Sequence, residues 1–278
     1  MNNVTESPSP FRNLHTMSIR DLLTGIHAND AAVHIAVGAA LPQIETLTQK
    51  IYEKMSLGGR VFYIGAGTSG RLGALDASEI LPTFGLEGKF IGVIAGGDRA
   101  LRNPVEAAED NLEGAWTDMQ PYAPSALDAV IGLAASGTTP YVIGGIRRAR
   151  AQGLLTGCIA CNPGSPLAAE AEYPVEVITG PEFVTGSTRL KAGTAQKMTL
   201  NMISTTLMIR LGRVHDNRMT NMQLTNSKLR RRAIGIIAHY AQTTPQRAEQ
   251  ILLESGSLPQ ALEAIRAEAA NARPSNGK

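Results

Sequence analysis

Five short, almost continuous apolar runs recur along the chain, separated by glycine-bearing turns and by longer stretches of helical spacing. They are VFYI at 61–64, FIGVIA at 90–95, AVIGLAA at 129–135, LLTGCIA at 154–160 and YPVEVI at 173–178. A strand with one face in water alternates apolar and polar side chains, so runs with hardly any alternation belong to strands covered on both faces. The pattern predicts an α/β fold in three layers, a parallel five-stranded sheet with helices on both faces.

Helix signals surround these runs. Residues 18–57 carry apolar side chains at helical spacing, among them Ile44, Leu47, Ile51 and Met55, and the Gly58-Gly59 pair ends them. They form a helical lead-in. The polar residues 1–16, with two prolines, read as an arm whose order depends on packing against another element or subunit. Asn103-Pro104 with Glu106 beyond it predicts a capped helix start, and Thr139-Pro140 predicts a helix with proline at its first position. A long helix is expected from about Thr188 to Leu211, with Met198, Met202, Leu207 and Ile209 facing the core. Residues 220–268 read as a small all-helical region with starts near Thr244-Pro245 and Ser257, and NARPSNGK at the end reads as frayed.

Composition narrows the function classes. Hydrophobic residues make up 43% and charged residues 18% of the 278, which excludes a disordered chain and a charged coiled coil. Against 26 basic side chains stand 24 acidic ones, so a net charge of +2 gives no reason to expect nucleic acid as a partner. No apolar stretch is long enough for a membrane span, and the first residues lack the pattern of a signal peptide. The two cysteines, Cys158 and Cys161, form a CxxC without a partner pair at the end of an apolar run, where core packing is expected. The histidines at 15, 27, 34, 215 and 239 form no metal-ligand motif, and Arg230 to Arg232 read as a solvated helix face. A cytoplasmic protein that needs no metal is the expectation.

The chemical signals lie in loops. GAGTSGR at 65–71 follows an apolar run and opens a helical stretch, so its glycines would let the backbone approach an anion. Thr68, Ser69 and the first free helix amides would then donate to phosphate oxygens. A tight turn would use the same glycines. SGTTP at 136–140 occupies the equivalent place after another run, and two such loops can converge along one edge of a parallel sheet. Neither loop has the GxxxxGK[ST] pattern of a nucleoside triphosphate site, and no acidic ribose partner stands at dinucleotide spacing. In GSTRLKAG at 186–193, Ser187, Thr188, Arg189 and Lys191 precede a helix, where the cations could balance phosphate charge. Glu79 and Glu109 are ordinary helix acids by spacing alone, and would suit acid and base work if folding brought them together.

Taken together, GAGTSGRLGALDASEILPTFG at 65–85, IAGGDRALRNPVEAAED at 94–110, AASGTTPYV at 134–142 and ITGPEFVTGSTRLKAGTAQKMTLNMISTTLMIRLGRV at 178–214 resemble the N-acetylmuramic acid 6-phosphate etherases of the sugar isomerase (SIS) superfamily. The resemblance spans roughly residues 45–226. It implies an N-terminal arm and helices over 1–44, an SIS phosphosugar-binding domain over 45–217 and a C-terminal helical region over 218–278. It further implies cleavage of the D-lactyl ether by elimination and then hydration, with no cofactor. By resemblance Glu79, in DASE, protonates the departing ether oxygen, which partial burial would favour by keeping it protonated. Glu109, in AED, removes the C2 proton. The same resemblance gives phosphate binding to Gly67, Thr68, Ser69, Gly70, Ser136, Gly137 and Thr138, with Ser187 and Thr188 as further contacts, and implies a homodimer. The chain departs from the family at Ala108, where glycine is common, and at Thr138, where arginine is common. A phosphosugar isomerase and a nonenzymatic sugar-phosphate-binding regulator are the competing functions.

Overall fold

The structure, a computed structural model, describes residues 3–224 and 226–271, with the side chains of Glu106 and of residues 268–271 outside the description. The apolar runs form five strands: β1 (Val61–Gly65), β2 (Phe90–Ile94), β3 (Ala129–Leu133), β4 (Leu155–Ala160) and β5 (Tyr173–Glu176). They pair in the order β2-β1-β3-β4-β5, every pair parallel. β1, β3 and β4 are buried along their whole length, which is why their sequences show no polar alternation.

The helices are α1 (Ile19–Ala39), α2 (Leu41–Ser56), α3 (Gly67–Phe84), α4 (Gly97–Arg102), α5 (Gly114–Met119), α6 (Pro140–Ala151), α7 (Pro166–Glu170), α8 (Lys191–Arg210), α9 (Ser227–Tyr240), α10 (Pro245–Ser255) and α11 (Leu258–Asn271). The single lead-in stretch is two helices, divided at Ala40, where Leu41-Pro42 begins a new first turn. On one face of the sheet Phe62, Ile64, Val130 and Cys158 join Met119 of α5, Val142 and Ile146 of α6 and Leu167 of α7 in one buried cluster. On the other face α2 and α3 come close enough that glycines are needed. A Cβ at Gly157 of β4 would lie 2.5 Å from Leu47 of α2, and one at Gly73 of α3 would lie 2.9 Å from Tyr63 of β1.

The chain forms two compact units, residues 1–79 with 88–207, and residues 80–87 with 208–278. In the second, α9, α10 and α11 bury Ile236, Ile237, Leu252, Leu258 and Leu262 against one another. Thr244 caps α10 as its sequence suggests, its hydroxyl accepting from the Arg247 amide at 3.3 Å. An antiparallel hairpin of β6 (Val214–His215) and β7 (Arg218–Met219), turning through Asp216 at φ 52°, had no strand signal in the sequence.

Two local expectations are corrected. Asn103 does not start a helix. It ends the short α4 in an extended conformation, because the following proline disfavours a helical residue before it. The segment after Pro104 is a 3-10 turn, Glu106–Asp110, and the capping role expected of the Glu106 side chain lies outside the described residues, as do residues 272–278 of the tail. In α8 the buried stripe runs through Leu200, Ile203, Leu207 and Met208; of the four residues expected to face the core only Leu207 is buried, Met198 and Met202 are half-buried at its edge and Ile209 is 49% exposed.

Candidate functional site

β1 and β3 are neighbours in the sheet although β2 lies between them in sequence, so the loops leaving their carboxyl ends diverge to opposite faces and open a crevice. Both hydroxyl-rich loops sit there. After β1 the chain turns through Gly67 at φ 52° directly into α3. At Gly70 a Cβ would lie 2.7 Å from the Gly65 carbonyl oxygen, so the absence of a side chain lets the first turn of α3 rest on the end of the strand. The amides of this first turn have no helical partner and can meet an anion.

After β3 the second loop turns through Gly137 at φ 70°, where a Cβ would lie 2.3 Å from the Ser165 Cβ. The Thr138 amide and hydroxyl both donate to the Ser136 hydroxyl oxygen, at 3.2 and 3.0 Å. That leaves the hydroxyl proton of Ser136 free for a ligand. Ser69 is different. Its hydroxyl donates to Gln196 Oε1 at 2.8 Å, and the Gln196 amide group in turn donates to the Ile159 carbonyl at 3.5 Å. The proton of Ser69 is thus turned onto α8, and what the residue offers a ligand is its backbone amide.

These groups line a cavity of about 430 Å³ in the first unit. Gly67, Thr68, Ser69, Ser136, Thr138, Thr188 and Glu109 all face it. Gly70 and Gly137 shape the loops from outside its lining, and Ser187 is not in its wall. Glu79 is not there either. Ten residues beyond Ser69 on α3, at about 1.5 Å per residue, its side chain is exposed rather than partly buried, so the single chain does not supply the burial expected of it. The helix that carries it is fixed by Asp76, which is 4% exposed, accepts from Tyr63 Oη at 3.2 Å and pairs with Lys197 Nζ at 3.3 Å. Burial raises the Tyr63 phenol well above its usual range, so it serves here as a donor.

The cations expected to balance phosphate charge are elsewhere. Arg189 is exposed and outside the cavity wall. Lys191 is 3% exposed, and its ammonium donates to Asn29 at 3.0 Å, with burial lowering its pKa. The N-terminus of α8 is already occupied: both oxygens of Glu182 accept from the amides of Lys191 and Ala192, at 3.1 and 3.0 Å. Burial raises the Glu182 pKa against the opposing pull of those amides. Among the described residues the cavity wall holds Glu109 and Asp110 but no lysine or arginine.

The N-terminal arm, whose order was expected to depend on packing against another element or subunit, packs on residues that its sequence does not name. Thr5 is fully buried, and its amide donates to Asn162 Oδ1 at 3.0 Å. Asn162 Nδ2 reaches the Thr5 hydroxyl at 3.0 Å, the Ala135 carbonyl at 3.2 Å and the Ser136 carbonyl at 3.1 Å. Four residues on, the Ser9 hydroxyl donates to the Phe183 carbonyl at 2.8 Å and the Phe11 ring packs on Phe183 at 4.6 Å. The arm is therefore ordered against its own chain, and it braces the loop that carries Ser136. Asn162 follows Cys161 directly. Both cysteines are buried free thiols whose pKa burial pushes up to about 12, as befits packing residues.

Comparison with known proteins bears on the fold and the family. Residues 43–150 match the glucokinase regulatory protein N-terminal SIS domain, 101–206 match the SIS domain, and 216–272 match the C-terminal lid domain of glucokinase regulatory protein. Among solved structures, the E. coli CFT073 protein c3406 superposes at a TM-score of 0.55 with 18% identity, over 72% of this chain and 96% of that one. A phosphoheptose isomerase from Francisella tularensis gives 0.53 with 15% identity, over 69% and 100%. At that identity they show the fold, and the fold is that of an SIS domain. No helix among the described residues is long and apolar enough to cross a membrane. The N-acetylmuramic acid 6-phosphate etherase of Porphyromonas gingivalis is 56% identical over 95% of this chain and 96% of its own length. That of Bacteroides thetaiotaomicron is 55% identical over 95% of each, and that of Clostridium botulinum 49% identical over 88% and 82%. Identity at this level along nearly the full length of both chains is decisive: the chain belongs to the N-acetylmuramic acid 6-phosphate etherase family.

Proposed function

We propose that the chain cleaves the D-lactyl ether of N-acetylmuramic acid 6-phosphate with water, giving N-acetylglucosamine 6-phosphate and D-lactate. The observation that carries this reading is a carboxylate, Glu109, in the wall of the same cavity as two anion-ready loops, in a chain more than half identical to proteins of that name. The first-turn amides of α3, the Thr68 hydroxyl and the free hydroxyl proton of Ser136 hold the phosphate. Thr188 adds a further hydroxyl to the cavity wall. With the sugar ring open, the C1 aldehyde acidifies the C2 proton, and Glu109 removes it as a general base. The C3–O bond breaks as the departing oxygen takes a proton, and water then adds at C3 of the unsaturated aldehyde.

The proton donor assigned by family likeness is Glu79. It stands outside this cavity on the exposed side of α3, so the assignment carries a second requirement, a homodimer in which Glu79 of the partner subunit reaches the ether oxygen. We place the reaction in the cytoplasm, where buried free thiols such as Cys158 and Cys161 stay reduced. The test is to incubate the purified protein with N-acetylmuramic acid 6-phosphate and follow both products. Equimolar D-lactate and N-acetylglucosamine 6-phosphate, lost in Glu109→Gln, support the reading. Aldose–ketose conversion without lactate would make it an isomerase, and binding without turnover a regulator.

A further inference from the structure

Beside the main cavity lies a smaller recess of about 110 Å³, and the two share Ala66, Gly67 and Glu109. Its remaining walls are unlike those of the phosphate loops. Ala95, Ala100, Pro104 and Val105 make an apolar lining, interrupted by the side chain of Arg71. Arg71 sits on the second turn of α3 and is half-buried, and its Nε donates to the Leu101 carbonyl at 3.3 Å. That bond fixes the guanidinium plane and leaves the two Nη groups, which make no hydrogen bond or ion pair among the described residues. Among the described residues Arg71 is also the one cation lining either recess.

A cation held by one nitrogen in an apolar recess is matched to a small anion with an apolar side, and a guanidinium fork is shaped for a carboxylate. The substrate of the proposed reaction carries such a group on the oxygen that leaves. We propose that this recess is the lactyl pocket: Arg71 receives the lactyl carboxylate on its free Nη groups, and Ala100, Pro104 and Val105 enclose the methyl. The proposal rests on the phosphosugar reading of the main cavity and adds where the leaving group goes. It also gives a reason for the place of Glu109. A residue in the wall of both recesses lies where the sugar carbon and the ether oxygen meet, which is where a base for the adjacent C2 proton must stand. Since methyl and carboxylate have separate walls, the pocket also distinguishes the D from the L lactyl ether.

The test compares wild type, Arg71→Met and Arg71→Lys with two ligands, N-acetylmuramic acid 6-phosphate and N-acetylglucosamine 6-phosphate, which differ only in the lactyl group. Calorimetry with Glu109→Gln added to each protein, so that the lactyl sugar is not consumed, gives both dissociation constants, and lactate release without that change gives kcat/KM. In Arg71→Met the lactyl sugar should bind roughly 10- to 100-fold more weakly and lose kcat/KM by a similar factor, as expected for a charge-assisted pair. Arg71→Lys should fall between, because it keeps the charge and loses the fork. N-acetylglucosamine 6-phosphate should bind all three proteins within about twofold. Equal weakening of both ligands, or no change in either, overturns the pocket. A wild type that binds both sugars and releases no lactate overturns the activity reading instead, and the binding difference still decides the pocket.

Discussion

Replacing Asn162 with alanine tests whether the N-terminal arm belongs to the substrate site. The side chain is 3% exposed and ties three segments together: Thr5, the Ala135–Ser136 end of the second loop, and its own turn after β4. In Asn162→Ala the Ala135 carbonyl keeps a partner, the Cys161 amide at 2.9 Å. The Thr5 amide and the Ser136 carbonyl do not, since Asn162 supplied the hydrogen bond of each. One buried and one part-buried polar group left unpaired, at about 1–3 kcal/mol for the Thr5 amide and about 1–2 for the Ser136 carbonyl, give a destabilisation of roughly 2–5 kcal/mol. For a chain of this size that lowers the melting temperature by roughly 5–15 °C. The released loop carries Ser136 and Thr138, which face the cavity proposed to hold the phosphate, while Glu109 is on another segment. KM for the phosphosugar should therefore rise severalfold with kcat nearly kept. Thr5→Ala keeps the backbone amide, removes the buried hydroxyl together with its methyl, and should cost about 1–2 kcal/mol. Calorimetric melting and steady-state kinetics read both effects. A variant that melts within a degree or two of wild type with unchanged KM would refute the bracing role.

Three further outcomes follow from the geometry. In Asp128, burial raises the pKa, but bonds from the Arg60 guanidinium and from the Ser125 and Arg60 amides outweigh it and hold the carboxyl below its usual range. The unfolded chain then binds that proton more tightly, so this stabilisation is complete above an unfolded value of about 3.9 and is lost as pH falls through the lower folded value. Asp128→Asn should flatten the acid limb of the stability profile, and an unchanged limb would remove the assignment. Thr138→Arg places a cation in a wall that has none among the described residues, and should lower KM about tenfold or more with a steeper salt dependence; an unchanged KM would show that the phosphate sits elsewhere. Co-expressed Glu79→Gln and Glu109→Gln chains should regain about a quarter of wild-type activity if each site draws one glutamate from each subunit, and none if both come from one chain.

The strands were legible because burial on both faces removes polar alternation, and all five apolar runs became strands in register with their neighbours. The two cavity loops were legible as turns because glycines able to take the left-handed backbone of Gly67 and Gly137 stand beside hydroxyl residues in a short window. Local pattern carried no information about pairs that close over long separations. Thr5 and Asn162 are 157 positions apart, and neither belongs to a periodic segment. Lys191 read as a cation that could balance phosphate charge, yet it is buried, and Asn29 and Glu182 make its burial tolerable from elsewhere in the chain. Arg71 lay in plain view in GAGTSGR, but its use depends on a recess built partly by Pro104 and Val105, which spacing could not place. The same Pro104 misled at Asn103, where a cap-and-proline pair closes one helix instead of opening the next.

On the proposed route the ether is broken on its sugar side, by loss of the C2 proton and later addition of water at C3. Running the reaction in a mixture of D2O and H2 18O, with mass spectrometry of both products, tests it directly. Elimination followed by hydration puts solvent deuterium at C2 and 18O at C3 of N-acetylglucosamine 6-phosphate, with no 18O gained by the D-lactate. Lactate carrying the 18O, with no deuterium at C2 of the sugar, would contradict it.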